Sequence, residues 1–155
     1  MTEQTLPWTG ACRCGRVKLT VSAPPLLTMA CHCTGCQRMT ASAFSLSVAV
    51  PAEGFAVEGE TAIGGLHGDE AHHYFCPHCM SWLYTKPQAL DWFVNVRSTM
   101  LDGHPASEPF LETYTSEKLP WVTTPAEHSF AQFPEFDDYG RLTQAFAERS
   151  VKPAT

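Results

Sequence analysis

The seven cysteines of this 155-residue chain fall into three tight groups, and that grouping constrains the fold more than any other feature. Cys12-Arg13-Cys14 is a C-x-C pair flanked by Gly10 and Gly15. Cys31-His32-Cys33-Thr34-Gly35-Cys36 is a C-H-C-x-x-C cluster, and Cys76-Pro77-His78-Cys79 is a C-x-x-C knuckle. A lone cysteine is usually a small buried hydrophobe; seven in three clusters ask for a shared ligand. Zinc suits them, because it is borderline-soft and accepts tetrahedral sulfur ligation without redox chemistry. Pairing the two remote doublets puts Cys12, Cys14, Cys76 and Cys79 around one Zn²⁺ in a closed structural site. The contiguous Cys31, Cys33 and Cys36 then hold a second Zn²⁺ with one position left open, the arrangement expected of a catalytic zinc. A different pairing, in which Cys31 or Cys36 completes the closed site, stays open at this point. An odd cysteine count excludes a complete disulfide framework and favours a reducing compartment.

A chain of this length supports a core of its own, so metal need not replace one. Ten Lys and Arg against 16 Asp and Glu give a formal charge of −6. Seven thiolates on two Zn²⁺ add three negative charges, to about −9. Such a surface is a poor match for nucleic acid, which needs basic residues to displace counterions. No apolar run approaches the ~20 residues that cross a bilayer, and Met1-Thr2-Glu3-Gln4-Thr5 lacks the charged and apolar regions of a signal peptide. A cytoplasmic protein with no membrane partner is the expectation.

The patterning predicts a mainly β fold. Residues 16–22 alternate, with Val17, Leu19 and Val21 on one face. Residues 43–50 repeat this, with Phe44, Leu46, Val48 and Val50 inward against Ser45 and Ser47. Weaker strands are expected at 55–58, 71–75, 81–85, 92–97 and 110–115. One short helix is expected near the C-terminus, capped by Asp137 or Asp138, with Tyr139, Leu142, Ala145 and Phe146 on one face and Arg149 at the dipole's negative end. Residues 6–150 read as one zinc-binding β domain between flexible termini, 1–5 and 151–155.

The order Gly10-x-Cys12-x-Cys14-Gly15-x-Val17, then Cys31-His32-Cys33-x-x-Cys36-Gln37-Arg38, then Ser42-Ala43-Phe44, then Phe75-Cys76-x-x-Cys79 resembles the glutathione-dependent formaldehyde-activating enzyme family, which includes the domain of centromere protein V. Leu119-Pro120-Trp121-Val122 looks like that family's Pro-Trp element, so the similarity runs from about Gly10 to Phe133. The resemblance implies a β-tent-like fold of small antiparallel sheets stapled by zinc. It implies Cys12, Cys14, Cys76 and Cys79 as structural ligands, and Cys31, Cys33 and Cys36 at the active metal. It also implies a carbon–sulfur lyase reaction that joins glutathione and formaldehyde as S-(hydroxymethyl)glutathione. Two positions depart from the pattern: Met80 replaces a glycine that commonly follows the knuckle, and Ala41 interrupts what is often Ser-Gly-Ser.

An open three-thiolate zinc accepts a thiol, which loses its proton on coordination. Three thiolates also quench its Lewis acidity, so proton handling falls to side chains. His32 is the nearest titratable group, with His78 its analogue in the other knuckle; the plainer reading packs His32 against the sheet. His72 and His73 end a strand and read as surface or satisfied core histidines. A glutathione-like substrate brings carboxylates, for which Arg38 and then Arg97 are candidates. Trp82, Trp92, Trp121 and Phe44 would wall a pocket or serve as core. The rival functions are a non-catalytic zinc-stabilised binding module for protein partners, and a redox or metal-handling protein in which the Cys31–Cys36 cluster oxidises or releases zinc.

Overall fold

The computed structural model of the chain describes residues 5–66 and 68–151, without the side chains of Ser150 and Val151. Apart from Thr5 and Val151, the termini expected to be flexible lie outside the described residues. In chain order the elements are β1 (Trp8–Ala11), β2 (Lys18–Val21), β3 (Leu27–Cys31), α1 (Thr34–Thr40), β4 (Ser45–Pro51), β5 (Phe55–Glu58), β6 (Ala62–Gly64), β7 (Ala71–Phe75), β8 (Trp82–Pro87), β9 (Phe93–Arg97), β10 (Leu111–Thr113), β11 (His128–Ser129) and α2 (Asp138–Val151). The expected mainly β class and C-terminal helix are both present. Helix α1 was not anticipated.

Two sheets carry the fold. β1, β2 and β5 form an antiparallel three-stranded sheet; the other eight strands run in the order β11-β10-β3-β4-β9-β8-β7-β6. Pairing in the large sheet is antiparallel except where β10 lies parallel to both β3 and β11. Gly10 of β1 bridges Leu101, in the segment that follows β9. A Cβ at Gly10 would collide with the Met100 carbonyl, so the close approach requires glycine.

The main core fills the space between the sheets. It contains Val17, Leu19 and Val21 from β2 and its lead-in, Val48 and Val50 from β4, and Leu83, Tyr84, Val94 and Val96. The alternation read at 16–22 and the inward Val48 and Val50 therefore hold. Ser45 and Ser47 do not face solvent as that alternation implied. Both are buried, because β4 is a central strand covered on both faces.

The face bearing Ser45 and Ser47 has two halves. Toward one end Leu27, Ala49, Phe110 and Leu111 meet Leu142 of α2, with Tyr139, Ala145 and Phe146 packed alongside as expected of that helix. Arg149 near its C-terminus bonds Glu108 at 2.7 Å and Glu127 at 3.0 Å. Toward the other end the strand register brings polar groups together. Cys31 pairs with Ser45 and Thr113; Ser47 with Arg97; Asn95 with Thr85; and Thr85 with His73. Partners in register share a face, so these residues form one polar floor, and α1 lies beside it.

Candidate metal centres

Two cysteine clusters assemble, with the membership expected from the sequence. The Sγ atoms of Cys12, Cys14, Cys76 and Cys79 all lie within 4.8 Å of one another, and so do those of Cys31, Cys33 and Cys36. The first cluster joins two similar turns. The Cys12 N–H donates to the Val17 carbonyl at 3.0 Å, and the Cys76 N–H to the Ser81 carbonyl at 3.0 Å. The Arg13 N–H donates to Ser81 Oγ at 3.1 Å and stitches one turn to the other. Sulfurs that converge this way accept backbone N–H bonds: Val17 to Cys12 at 3.3 Å, and Cys79 to Cys76 at 3.5 Å.

The second cluster is built on α1. Cys31 ends β3, Cys33 is the helix N-cap and its sulfur accepts the Cys36 N–H at 3.3 Å, and Cys36 lies in the first turn. The segment after β10 fixes that turn. Glu117 Oε1 accepts from the Thr34 N–H at 3.2 Å and from Thr34 Oγ1 at 3.0 Å. Gln37 Nε2 donates to the His32 carbonyl at 2.7 Å and the Glu117 carbonyl at 3.0 Å.

The donor sets fit a thiophilic dication. Tetrahedral Zn–S bonds of about 2.3 Å place sulfurs roughly 3.8 Å apart, and Cys12–Cys14 and Cys14–Cys76 stand at 3.5 and 3.8 Å. The electrostatics agree. A hydrogen bond from Cys36 outweighs desolvation and draws Cys31 down to about 5, with Thr113 and Cys33 contributing. The same contact with Cys31, reinforced by burial, pushes Cys36 strongly up. In the first cluster the Ser81 hydroxyl draws Cys79 down to about 5 against desolvation. Cys14 goes up to about 11, because desolvation and the sulfurs of Cys12, Cys79 and Cys76 outweigh a backbone hydrogen bond at Arg16. Thiolates this close cannot all ionise unaided; a bound cation removes that restraint. Among the described residues no fourth His, Cys, Asp or Glu joins the Cys31–Cys33–Cys36 group.

His32 packs as the plainer reading supposed. It is fully buried, its Nε2 lies 2.8 Å from Glu112 Oε2, and its ring meets Phe44 edge-on at 5.4 Å. Glu112 registers with Ala30 while Thr113 registers with Cys31, so His32 projects away from the polar floor. Glu112, which belongs to none of the cysteine motifs and was not singled out from the sequence, also accepts from Thr124 at 2.7 Å, Ser129 at 2.8 Å and Lys118 at 3.3 Å. This network ties the chain around the Pro-Trp segment to the back of the second cluster.

Arg38 is exposed on α1, whereas Arg97 is buried in the polar floor. The Arg97 guanidinium stacks 3.9 Å from the Trp82 ring centroid, and Nη2 donates to Thr85 Oγ1 at 3.4 Å. Burial draws it down to about 10, while the charges of Cys36 and Cys31 hold it up. Of the four aromatics considered, Trp82 reaches this floor, Phe44 packs on His32, and Trp92 and Trp121 are exposed. His73 Nδ1 meets Thr85 Oγ1 at 2.9 Å, and His78 is exposed. A hollow of about 280 Å³ lined by Phe55, Tyr74, Lys86 and Asp91 opens elsewhere and includes no cysteine.

Comparison with known proteins agrees with this geometry. The family model for the glutathione-dependent formaldehyde-activating enzyme matches residues 7–117, which span both clusters. The chain belongs to this family. No curated protein matches the chain. A crystal structure of a Rhodobacter sphaeroides protein from a structural genomics programme matches the fold with a TM-score of 0.52 at 19% identity, covering 61% of this chain and 88% of that one. Membership in the formaldehyde-activating family supports glutathione- and formaldehyde-related chemistry in general. It also makes sense of the two departures. Met80 and Ala41 adopt φ of 62° and 51°, the left-handed region that favours glycine, and Ala41 is the residue that ends α1.

Proposed function

We propose that the chain is a zinc-dependent carbon–sulfur lyase, folded as a single domain over residues 6–150 and working on a small thiol adduct in a reducing, cytoplasmic setting. Cys12, Cys14, Cys76 and Cys79 would hold a structural Zn²⁺, and Cys31, Cys33 and Cys36 a catalytic one. Glutathione plus formaldehyde, giving S-(hydroxymethyl)glutathione, is the reaction that family membership supports. The observation that carries the reading is a half-buried sulfur triad with no fourth protein ligand among the described residues. A zinc ion bound there supplies a coordination position at which a thiol loses its proton and is oriented.

The chain's own residues supply the rest. Glu117 and Gln37 hold the triad's loop in place, which keeps the sulfurs preorganised rather than collapsed into a disulfide. His32 and Glu112 act from behind as a brace. Arg97 within the floor and Arg38 at the exposed edge are the cations available to anionic groups of a substrate. Protons for the departing or arriving oxygen come from solvent, since the triad is half-exposed.

The test is zinc release to a chelator with and without glutathione, alongside the rate of S-(hydroxymethyl)glutathione formation by NMR. The proposal expects two zincs per chain, one released quickly, glutathione slowing that release, and a catalysed rate that Cys33→Ser abolishes. One tightly held zinc, indifferent to glutathione, with no catalysis, would instead identify a binding module.

A further inference from the structure

Arg97 presents an unusual balance of charge. Its side chain is buried, with 9% of its surface exposed, and among the described residues it forms no salt bridge with a carboxylate. Its Nε finds no hydrogen-bond partner, and neither do the buried Trp82 Nε1 and Asn95 Oδ1. The guanidinium already faces the sulfurs of Cys36 and Cys31, but two buried N–H donors without an acceptor, Arg97 Nε and Trp82 Nε1, cost free energy unless something arrives to meet them. Asn95, Arg97 and Thr113 lie on the same floor as Cys31 by strand register. Trp82 reaches that floor because a bulge pairs it with Phe75. The guanidinium is also prepositioned: it stacks on Trp82, and Thr85 Oγ1 joins it to His73.

From this we infer that Arg97 and Trp82 form a carboxylate subsite beside the sulfur triad, and that the carbonyl partner is a small 2-oxo acid or aldehyde acid rather than a neutral aldehyde alone. The inference rests on the reading of the triad as a thiol-binding centre. Formaldehyde has no anionic group to pair with a buried guanidinium. The exposed Arg38 on α1 is the cation left for the anionic ends of a peptide-like thiol. A carboxylate one bond from the reacting carbon reaches the floor directly. Three thiolates and a coordinated fourth leave net negative charge around a dication, so an anionic carbonyl needs a local cation to approach at all. The step is an addition without redox change. The thiolate sulfur bonds the carbonyl carbon, the π electron pair moves to oxygen, and that oxygen takes a proton from solvent to give the hydroxy-thioether acid. The reverse breaks the same bond.

The experiment compares glyoxylate with its neutral methyl ester as carbonyl partner for the zinc-loaded protein, with glutathione and separately with 2-mercaptoethanol, which carries no carboxylate. A charge-assisted pair predicts that the native protein favours glyoxylate in kcat/KM by about tenfold to a hundredfold with either thiol. Arg97→Met collapses that ratio toward unity, and Arg97→Lys retains part of it. Calorimetry with glyoxylate and no thiol reads binding without turnover: measurable affinity for the native protein, weakened about tenfold or more in Arg97→Met. Three outcomes overturn the inference. They are a native protein that does not discriminate acid from ester, an Arg97→Met variant that loses both rates by the same factor, and an Arg97 dependence that appears only when the thiol carries the carboxylate. The native comparison needs no variant to fold. If glutathione fails to slow zinc release while glyoxylate still binds, the thiol-binding reading has failed and the subsite has not.

Discussion

Glu112 is a buried carboxylate surrounded by four donors, and its energetics follow from that. Burial alone would raise it, yet hydrogen bonds from Thr124, Ser129, His32 and Lys118 draw it from 4.5 down to about 2. A folded pKa below the unfolded one stabilises the fold above about pH 4.5, and the contribution fades as pH falls toward 2; a shift of this size corresponds to about 3 kcal/mol. Glu112→Gln should therefore lower the unfolding free energy at pH 7 by about 2–4 kcal/mol. In urea titrations the gap from the native protein should close between about pH 4.5 and 2. A gap constant over that range would mean that the charge is not what the network holds. Met80 gives a prediction of opposite sign. At φ of 62° a non-glycine side chain is strained by roughly 1–2 kcal/mol, and glycine regains part of that after its greater unfolded-state entropy is counted. Met80→Gly should raise the thermal midpoint by a few degrees and Met80→Val should lower it.

Among the elements, α1 decides how the second cluster works, and it was the least legible. The weaker strands expected at 55–58 and 71–75 match β5 and β7 end to end, because turn residues such as Gly59 mark where they stop and start. β3 has no alternation, since Leu27, Thr28 and Ala30 are all buried, and a strand covered on both faces has no pattern of period two to show. α1 buries none of its side chains fully. Its seven residues therefore carry no apolar stripe, and its cap is a cysteine rather than Ser, Thr, Asp or Asn. The cysteine clusters were legible because each of the three groups is compact in sequence; Glu112 was not, because its partners lie between 6 and 80 residues away. The helix depends on Gln37, which bonds two carbonyls on different segments. Gln37→Ala should cost about 1–2 kcal/mol of stability. It should also speed chelator removal of the metal at Cys31, Cys33 and Cys36 several-fold, and leave release from the four-cysteine cluster unchanged.

For the molecule as a whole, the two clusters differ in what they hold together. Cys12 and Cys76 belong to the main core, which the four-sulfur cluster closes at one edge by joining turns more than 60 residues apart. Cys31, Cys33 and Cys36 span a single local turn beside the polar floor. Structural zinc contributes roughly 10–16 kcal/mol in small domains, so Cys76→Ser should unfold the chain or leave it unable to bind metal. Cys33→Ser should keep a native circular dichroism spectrum and one zinc. Equal loss of fold in both variants would contradict the division.

That division is tested most directly by titrating the metal-free protein with cobalt(II), whose absorption reports the number of thiolates bound and the geometry they impose. The account predicts two equivalents per chain, one with a four-thiolate spectrum that no added thiol alters, and one whose spectrum changes when glutathione is added and fails to appear in Cys33→Ser. A single equivalent, or a second whose spectrum is indifferent to every thiol, would contradict it.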